Sequence, residues 1–501
     1  MNKRNKMRKS LFLLLALLLA TAGLFAKESI KFDKARYGVS AGDSVTVKYS
    51  LPAEGKVALR CSDGWSSRVI PNGGRSGSIV LTAPDPASTP DILVDVIYPG
   101  GEEQFINLDI LVKDPYTAAT RPRVDLLPFG GLDPVNTTQE DYQKVADAGF
   151  TMITLEGGEK LDMNGDGVRD DADMLPTIRY KLDLIKKAGL KYSLHHPQHA
   201  EVIDYLKDDP DLMMIHIFDE PGLQLIPMLK ERREWIKSIA PNVPVHINLH
   251  PHASIRALGT DYYTDYVRKM VEGTGMDILS YDHYPVLIDG SVMNEWYRCL
   301  EAHFQVSKEK GIPVWLFTAS CGMDYERPAR QKPTMENLRL QVYTDLAYGA
   351  PVVQYFVYRS YSPQCIAPIT QDGKYTYLYD LVKEFNAEVH RRGFVFAGGN
   401  VSKVRFTHLT PYYCLPLISD DMPAEIPFID TDKTALVSFV ENGGNRYLVL
   451  VNSSCKEKFT AEVEFASLAY TINRDGIFTE HQPGREKIVV DEGDMLVIKY
   501  R

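Results

Sequence analysis

The run IHIFDEP, Ile215–Pro221, places two adjacent carboxylates, Asp219 and Glu220, directly after an apolar stretch. Pro221 stops a strand and suits the start of a helix, so the pair is predicted at a strand end. A carboxyl in such a place donates a proton when burial or a second carboxylate raises its pKa. Cleaving a glycosidic bond needs one such donor and a second group to meet the oxocarbenium-like centre. Asp282 in SYDHYP and Glu156 in TMITLEGG also close apolar runs. Glu220 is the expected donor and Asp282 its first-ranked partner, followed by Asp219 and Glu156. His195, His196, Asn248, His250 and His283 fall at comparable places and are expected to bind substrate, with Arg359 beside them. Trp315, Tyr284, Tyr355 and Tyr358 are the expected platforms for sugar faces. The same histidines, with His252, leave open a metal-assisted hydrolase.

A second motif is separate from these. Asp162, Asn164, Asp166, Asp170 and Asp173 put oxygen groups at positions 1, 3, 5, 9 and 12 of a loop with Gly167 at 6, and Val168 supplies a carbonyl at 7. This is the EF-hand ligand order, ending in Asp instead of Glu. It resembles the loops of dockerins, in one copy only, and predicts a structural calcium ion. No organic cofactor is expected.

Positioning these groups requires a frame. Between residues 121 and 399, eight strand-like runs begin near Val124, Thr151, Lys191, Met213, Pro244, Asp277, Pro313 and Pro351. Amphipathic stretches such as IRYKLDLIKKAGL separate them, several closing on Gly as a helix end does. This α/β pattern predicts a (β/α)8 TIM barrel, whose sites form where strands end. An open doubly wound sheet is the rival, but FGGLDP after the first strand is a poor phosphate loop. Residues 27–115 alternate with period two and predict an N-terminal Ig-like β-sandwich. Residues 114–123 read as a linker, and alternation returns over 400–501 as a C-terminal β-sandwich.

The fourth-strand DEP resembles the Asn-Glu-Pro of the barrel glycoside hydrolase clan that includes β-galactosidases and cellulases. That resemblance implies an acid/base role for Glu220. SYDHYP and GAPVVQYFVY are similar to the clan's sixth and eighth strands, where sugar is bound. The clan's nucleophilic Glu belongs at the seventh strand end, where this chain has Thr318, Ala319 and Ser320. That nucleophile is therefore not carried over. Asp219-Glu220 is also similar to the pair of hexosaminidases that use the substrate's acetamido group. A binding barrel without catalysis is the main alternative to hydrolysis.

Lys3, Arg4, Lys6, Arg8 and Lys9 precede the apolar run of residues 11–26, too short to span a bilayer and read as a signal peptide cut near Ala26. Its removal takes the formal charge from −10 to −15. Such a surface disfavours nucleic acid and anionic membranes and suits a neutral oligo- or polysaccharide. The expected place of work is periplasmic or extracellular. Six cysteines, with no C-x-x-C pair, lack paired zinc spacing. In an oxidising compartment some can pair, without the sequence fixing which.

Overall fold

The computed structural model describes residues 29–132, 137–252, 255–323, 328–409 and 416–501. The expected signal peptide and Cys414 lie outside these residues. One compact unit ends at Thr117, and the other runs from Ala118 to Arg501. In the first unit, short antiparallel strands alternate inward and outward residues. Val47, Ile79, Leu81, Val94, Val96 and Ile110 meet in its core.

The second unit opens with eight parallel strands. They are β1 (Asp125–Pro128), β2 (Met152–Glu156), β3 (Lys191–His195), β4 (Leu212–Asp219), β5 (Val245–Leu249), β6 (Ile278–Tyr281), β7 (Val314–Ala319) and β8 (Val352–Phe356). Each pairs with the next from β2 to β8, and β8 pairs with β1. The backbone N–H of Thr151 donates to Leu126 O at 3.1 Å, and Leu126 N–H donates to the Thr151 hydroxyl at 3.0 Å. Those two bonds draw β1 and β2 together and close the (β/α)8 barrel.

Eight longer helices alternate with the strands: α1 (Gln139–Asp147), α2 (Asp171–Lys187), α3 (Ala200–Leu206), α4 (Ile226–Ile239), α5 (Tyr263–Thr274), α6 (Glu295–Lys310), α7 (Met335–Ala347) and α8 (Tyr377–Arg392). Their starts are written in capping residues. Thr138 and Asp170 each accept from the first turn while Asp141 and Asp173 bond back to the cap. Gly149, Gly189, Gly275, Gly311 and Gly349 end five of them with positive φ. At Gly149 a side chain is also excluded by space, since a Cβ would lie 2.8 Å from Asn386.

A C-terminal pair of sheets, six-stranded and three-stranded, encloses Val437, Leu448, Leu450, Phe459, Val463 and Ile498. A buried ionic cluster ties it to α8. Arg392, 1% exposed, donates to Glu388 at 3.1 Å and to Asp494 at 3.0 Å. Arg339 donates to Glu388 at 2.8 Å, and Arg474 to Asp494 at 2.7 Å. Every charge in this cluster has a partner, the condition under which buried charge is tolerated. Among the described residues, no helix is long and apolar enough to cross a membrane.

Candidate active site

Consecutive residues on a strand point to opposite faces, so Asp219 and Glu220 should not share the barrel mouth. The backbone resolves this. A bulge between His216 and Phe218 shifts the register of β4 against β5. β4 then ends at Asp219, and Glu220 adopts the left-handed region with φ +48. Its N–H still donates to Asn248 O at 2.9 Å. His196, directly after β3, does the same with φ +46. A non-glycine residue there costs about 1–2 kcal/mol, and two such residues at one mouth point to function.

Asn248 organises the carboxylates. Its side-chain N–H2 donates to Asp219 Oδ1 at 2.9 Å and to Asp282 Oδ1 at 3.0 Å, which holds those two oxygens within about 6 Å of one another. The amide is itself oriented. Gln354 Nε2 donates to Ser280 Oγ at 3.1 Å, and Ser280 Oγ donates to Asn248 Oδ1 at 3.0 Å. This relay runs from β8 through β6 to β5, and each donor fixes the direction of the next. Tyr284 donates to Asp282 Oδ2 at 3.3 Å and stacks on Phe356 with ring centres 5.2 Å apart.

Burial pushes the Asp282 carboxyl well above the usual carboxylate range, and the charges of Glu220 and Asp219 push it further. Asn248 opposes that rise without cancelling it. Asp219 is also raised, by burial first, with Asn248 counteracting and Glu220 adding to it. Asp219 itself is exposed to solvent. Glu220 Oε1 stands 3.4 Å from His250 Nδ1, and its side chain is 38% exposed. Tyr266 donates to Pro221 O at 2.6 Å and accepts from His250 N–H at 3.2 Å, bracing both ends of this contact.

Other expected residues lie elsewhere. Glu156 opens into a separate cavity of about 260 Å³ with Thr154, Tyr142, Lys181 and Arg359. Burial, with Glu159 nearby, raises its carboxyl to about 7. His195 faces the barrel lumen, its Nε2 3.0 Å from Ser193 Oγ. There it meets two histidines that sequence reasoning missed. His216 lies 4.8 Å from His195 between ring centres, and its Nδ1 is 2.8 Å from His246 Nδ1. Burial holds His195 and His216 well below the ordinary histidine value and His246 at about 3. His196, lowered by burial, packs on His216 at 4.9 Å.

Three platform assignments require correction. Trp315 is buried in the barrel floor with Leu127, Met152, Met214, Ile278 and Val352, so it offers no face to a sugar. Tyr358 is 1% exposed and packs edge-on to Phe150, as does Tyr355. His283 is 4% exposed, just beyond the end of β6. Thr318 and Ser320 at the end of β7 are buried. Among the described residues no three His, Cys, Asp or Glu side chains converge as a metal-binding group. In the acidic loop, Asp162 accepts from Gly165 N–H at 2.7 Å and Gly167 N–H at 2.9 Å. Asp170 and Asp173 cap α2.

Residues 212–365, from β4 to the segment after β8, match the Glyco_hydro_42 family model, described as beta-galactosidase. Over that segment the chain is similar to this glycoside hydrolase family. None of the curated proteins matches by sequence. Among solved structures, the beta-galactosidase of the psychrophilic Marinomonas ef1 is 11% identical with a TM-score of 0.39, covering 54% of this chain and 60% of that one. The beta-galactosidase of the haloarchaeon Halorubrum lacusprofundi is 12% identical with a TM-score of 0.38, covering 53% and 57%. The family 5 mannosidase of Rhizomucor miehei is 11% identical with a TM-score of 0.38, covering 55% and 96%. The chain thus spans less than two thirds of the length of the two beta-galactosidases. The matched segment holds Asp219, Glu220, Asn248, Asp282 and Tyr284.

Proposed function

We propose that the protein hydrolyses an O-glycosidic bond of a neutral oligo- or polysaccharide at the mouth formed by β4, β5 and β6. The observation that carries this reading is the carboxylate cluster, in which the Asn248 amide bonds both Asp219 and Asp282, Glu220 follows directly on β4, and burial raises the Asp282 carboxyl well above the usual range. Sequence reasoning assigned proton donation to Glu220. The surroundings favour Asp282 as the donor, because burial and two acidic neighbours keep a proton on it. The carboxylate facing the oxocarbenium-like centre comes from the adjacent pair, and Asp219 is the member whose distance from Asp282 is fixed. A separation below about 6 Å supports a covalent glycosyl intermediate, since an activated water needs roughly 6.5–9.5 Å. Glu220 remains the second reading for that group, favoured by its half-exposed carboxylate beside His250.

A β-galactoside is the first substrate class to assay, given the family that residues 212–365 match. An aryl β-galactoside with a dinitrophenolate leaving group and the corresponding alkyl β-galactoside separate the roles. Asp282→Asn should lose the alkyl substrate and still give a burst of dinitrophenolate from the aryl one, whose departure needs no proton, before slow turnover, because the same residue must then deprotonate the attacking water. Asp219→Asn should lose both and recover turnover with azide. Loss of both in Glu220→Gln, with azide rescue there alone, transfers the role to Glu220. If neither compound is cleaved, sugars released from a polysaccharide panel decide. No release from any member leaves a binding barrel and ends the hydrolase reading. Export through residues 1–26 and a structural calcium ion in the Asp162–Asp173 loop belong to the same proposal.

A further inference from the structure

Two thiols stand together behind the aromatic wall of the site. Cys321 follows β7 and Cys365 lies in the segment after β8, 0% and 1% exposed. They share an apolar cluster with Ala319, Met323, Val357 and Ala367, against which Tyr284 and Phe356 pack. The backbone brings the two segments together. Gly322 N–H donates to Ile366 O at 2.8 Å, pairing them in antiparallel sense one residue beyond each cysteine. The two thiols are close enough to shift each other's ionisation in opposite directions. Cys299, by contrast, accepts from His252 N–H at 3.3 Å, and Cys455 donates to Gly290 O at 3.3 Å.

We infer that Cys321 and Cys365 are a disulfide-forming pair that crosslinks the walls after β7 and β8. The reaction is exchange with an external disulfide, such as glutathione disulfide. The Cys365 thiolate attacks one sulfur and expels one thiolate, leaving a mixed disulfide. Cys321 then loses its proton, attacks Cys365 sulfur and expels the second thiolate. One S–S bond forms and one breaks, the protein is oxidised by two electrons, and the reagent leaves as two thiols. Contact with Cys321 lowers the Cys365 thiol, while the same contact and burial raise Cys321. That asymmetry suits attack by one and resolution by the other. Cys365 is itself buried, so the attack requires its exposed neighbours Pro363 and Gln364 to move aside.

The crosslink would reach the site through rings. Tyr361 packs on Phe356 at 5.8 Å, Phe356 stacks on Tyr284, and Tyr284 donates to Asp282. It would close a loop of about 45 residues, long enough for a sizeable entropic effect on the unfolded chain.

The full chain is incubated folded with glutathione disulfide, freed of reagent, unfolded in guanidinium with iodoacetamide and mapped by mass spectrometry. The expected result is a linked peptide pair containing Cys321 and Cys365, both alkylated only after reduction, with Cys299 alkylated throughout. Melting should fall by several degrees on adding reductant, and the double variant Cys321→Ser, Cys365→Ser should show no such response. In Cys321→Ser alone, Cys365 should be recovered as a glutathione adduct. Alkylation of both cysteines after oxidation, or their recovery as two separate glutathione adducts, overturns the pairing. Equal melting of linked and reduced protein overturns the structural role.

Discussion

Replacing Asn248 by alanine removes the one group that bonds both Asp219 and Asp282. Hydrogen bonds to charged groups contribute about 1.5–3 kcal/mol each, and the bond to Asp282 favours its ionised form. Loss of about 1.4 kcal/mol of that preference raises the Asp282 pKa by about one unit. Asp219 moves in the same direction, because the same amide lowers it. The pH profile of kcat/KM follows from these signs. Its alkaline limb, set by deprotonation of the donor, should move up by about one unit. Its acid limb, set by protonation of the second carboxylate, should move up as well. At the optimum, kcat should fall by about 10- to 100-fold as both carboxylates lose their register. Rates between pH 4 and 10 on the alkyl galactoside, whose leaving group needs the donated proton, with folding checked by circular dichroism, provide the measurement. An alkaline limb that stays put or moves down refutes the assignment of Asp282 as donor, whatever happens to kcat.

Asp282→Asn should make the protein more stable at neutral pH. A carboxyl with a raised folded pKa binds its proton more tightly in the native state, so stability falls as pH rises through the window from the unfolded value upward. The variant should therefore melt above the wild type at pH 7 and show a smaller difference at pH 4; equal melting at both would count against the buried proton. The lumen histidines act in the opposite sense. His195, His216 and His246 are lowered by burial, so the stability they confer is present above about 6.5 and is lost as pH falls below it, for His246 as pH nears about 3. Melting curves should drop below pH 6, and His246→Phe should flatten that drop; an unchanged slope would show these rings titrate elsewhere. Calcium should raise the melting temperature of the wild type but not of Asp162→Ala with Asp166→Ala, and a chelator should reverse the gain. Equal responses in wild type and variant would remove the ion from this loop.

The barrel was legible because its signals are local. Apolar runs, capping residues and terminal glycines marked strands and helices, and strand ends located the mouth. What was not legible depends on the direction of side chains. No glycine announces the left-handed turns at His196 and Glu220, and the bulge in β4 resets the alternation that would sort inward from outward residues. Trp315 and Tyr358 therefore read as platforms although they are packing groups. Period two did hold a usable signal in β5 and β6. His246 lies two residues before Asn248, and Ser280 two before Asp282, so an inward Asn248 and Asp282 imply inward partners. Gln354 had no such marker, because only the closed barrel brings β8 to the relay.

The Arg392 cluster bears on how this protein can be cut. Glu388 and Arg392 belong to the barrel's last helix, while Asp494 belongs to the C-terminal sheets. A truncation after residue 399 would leave that arginine without one of its carboxylates, and breaking a buried pair costs about 3–5 kcal/mol. A minimal barrel for expression or domain shuffling should therefore keep the downstream sheets, or carry a neutral replacement for Arg392 from the outset, which leaves the Arg339–Glu388 pair intact.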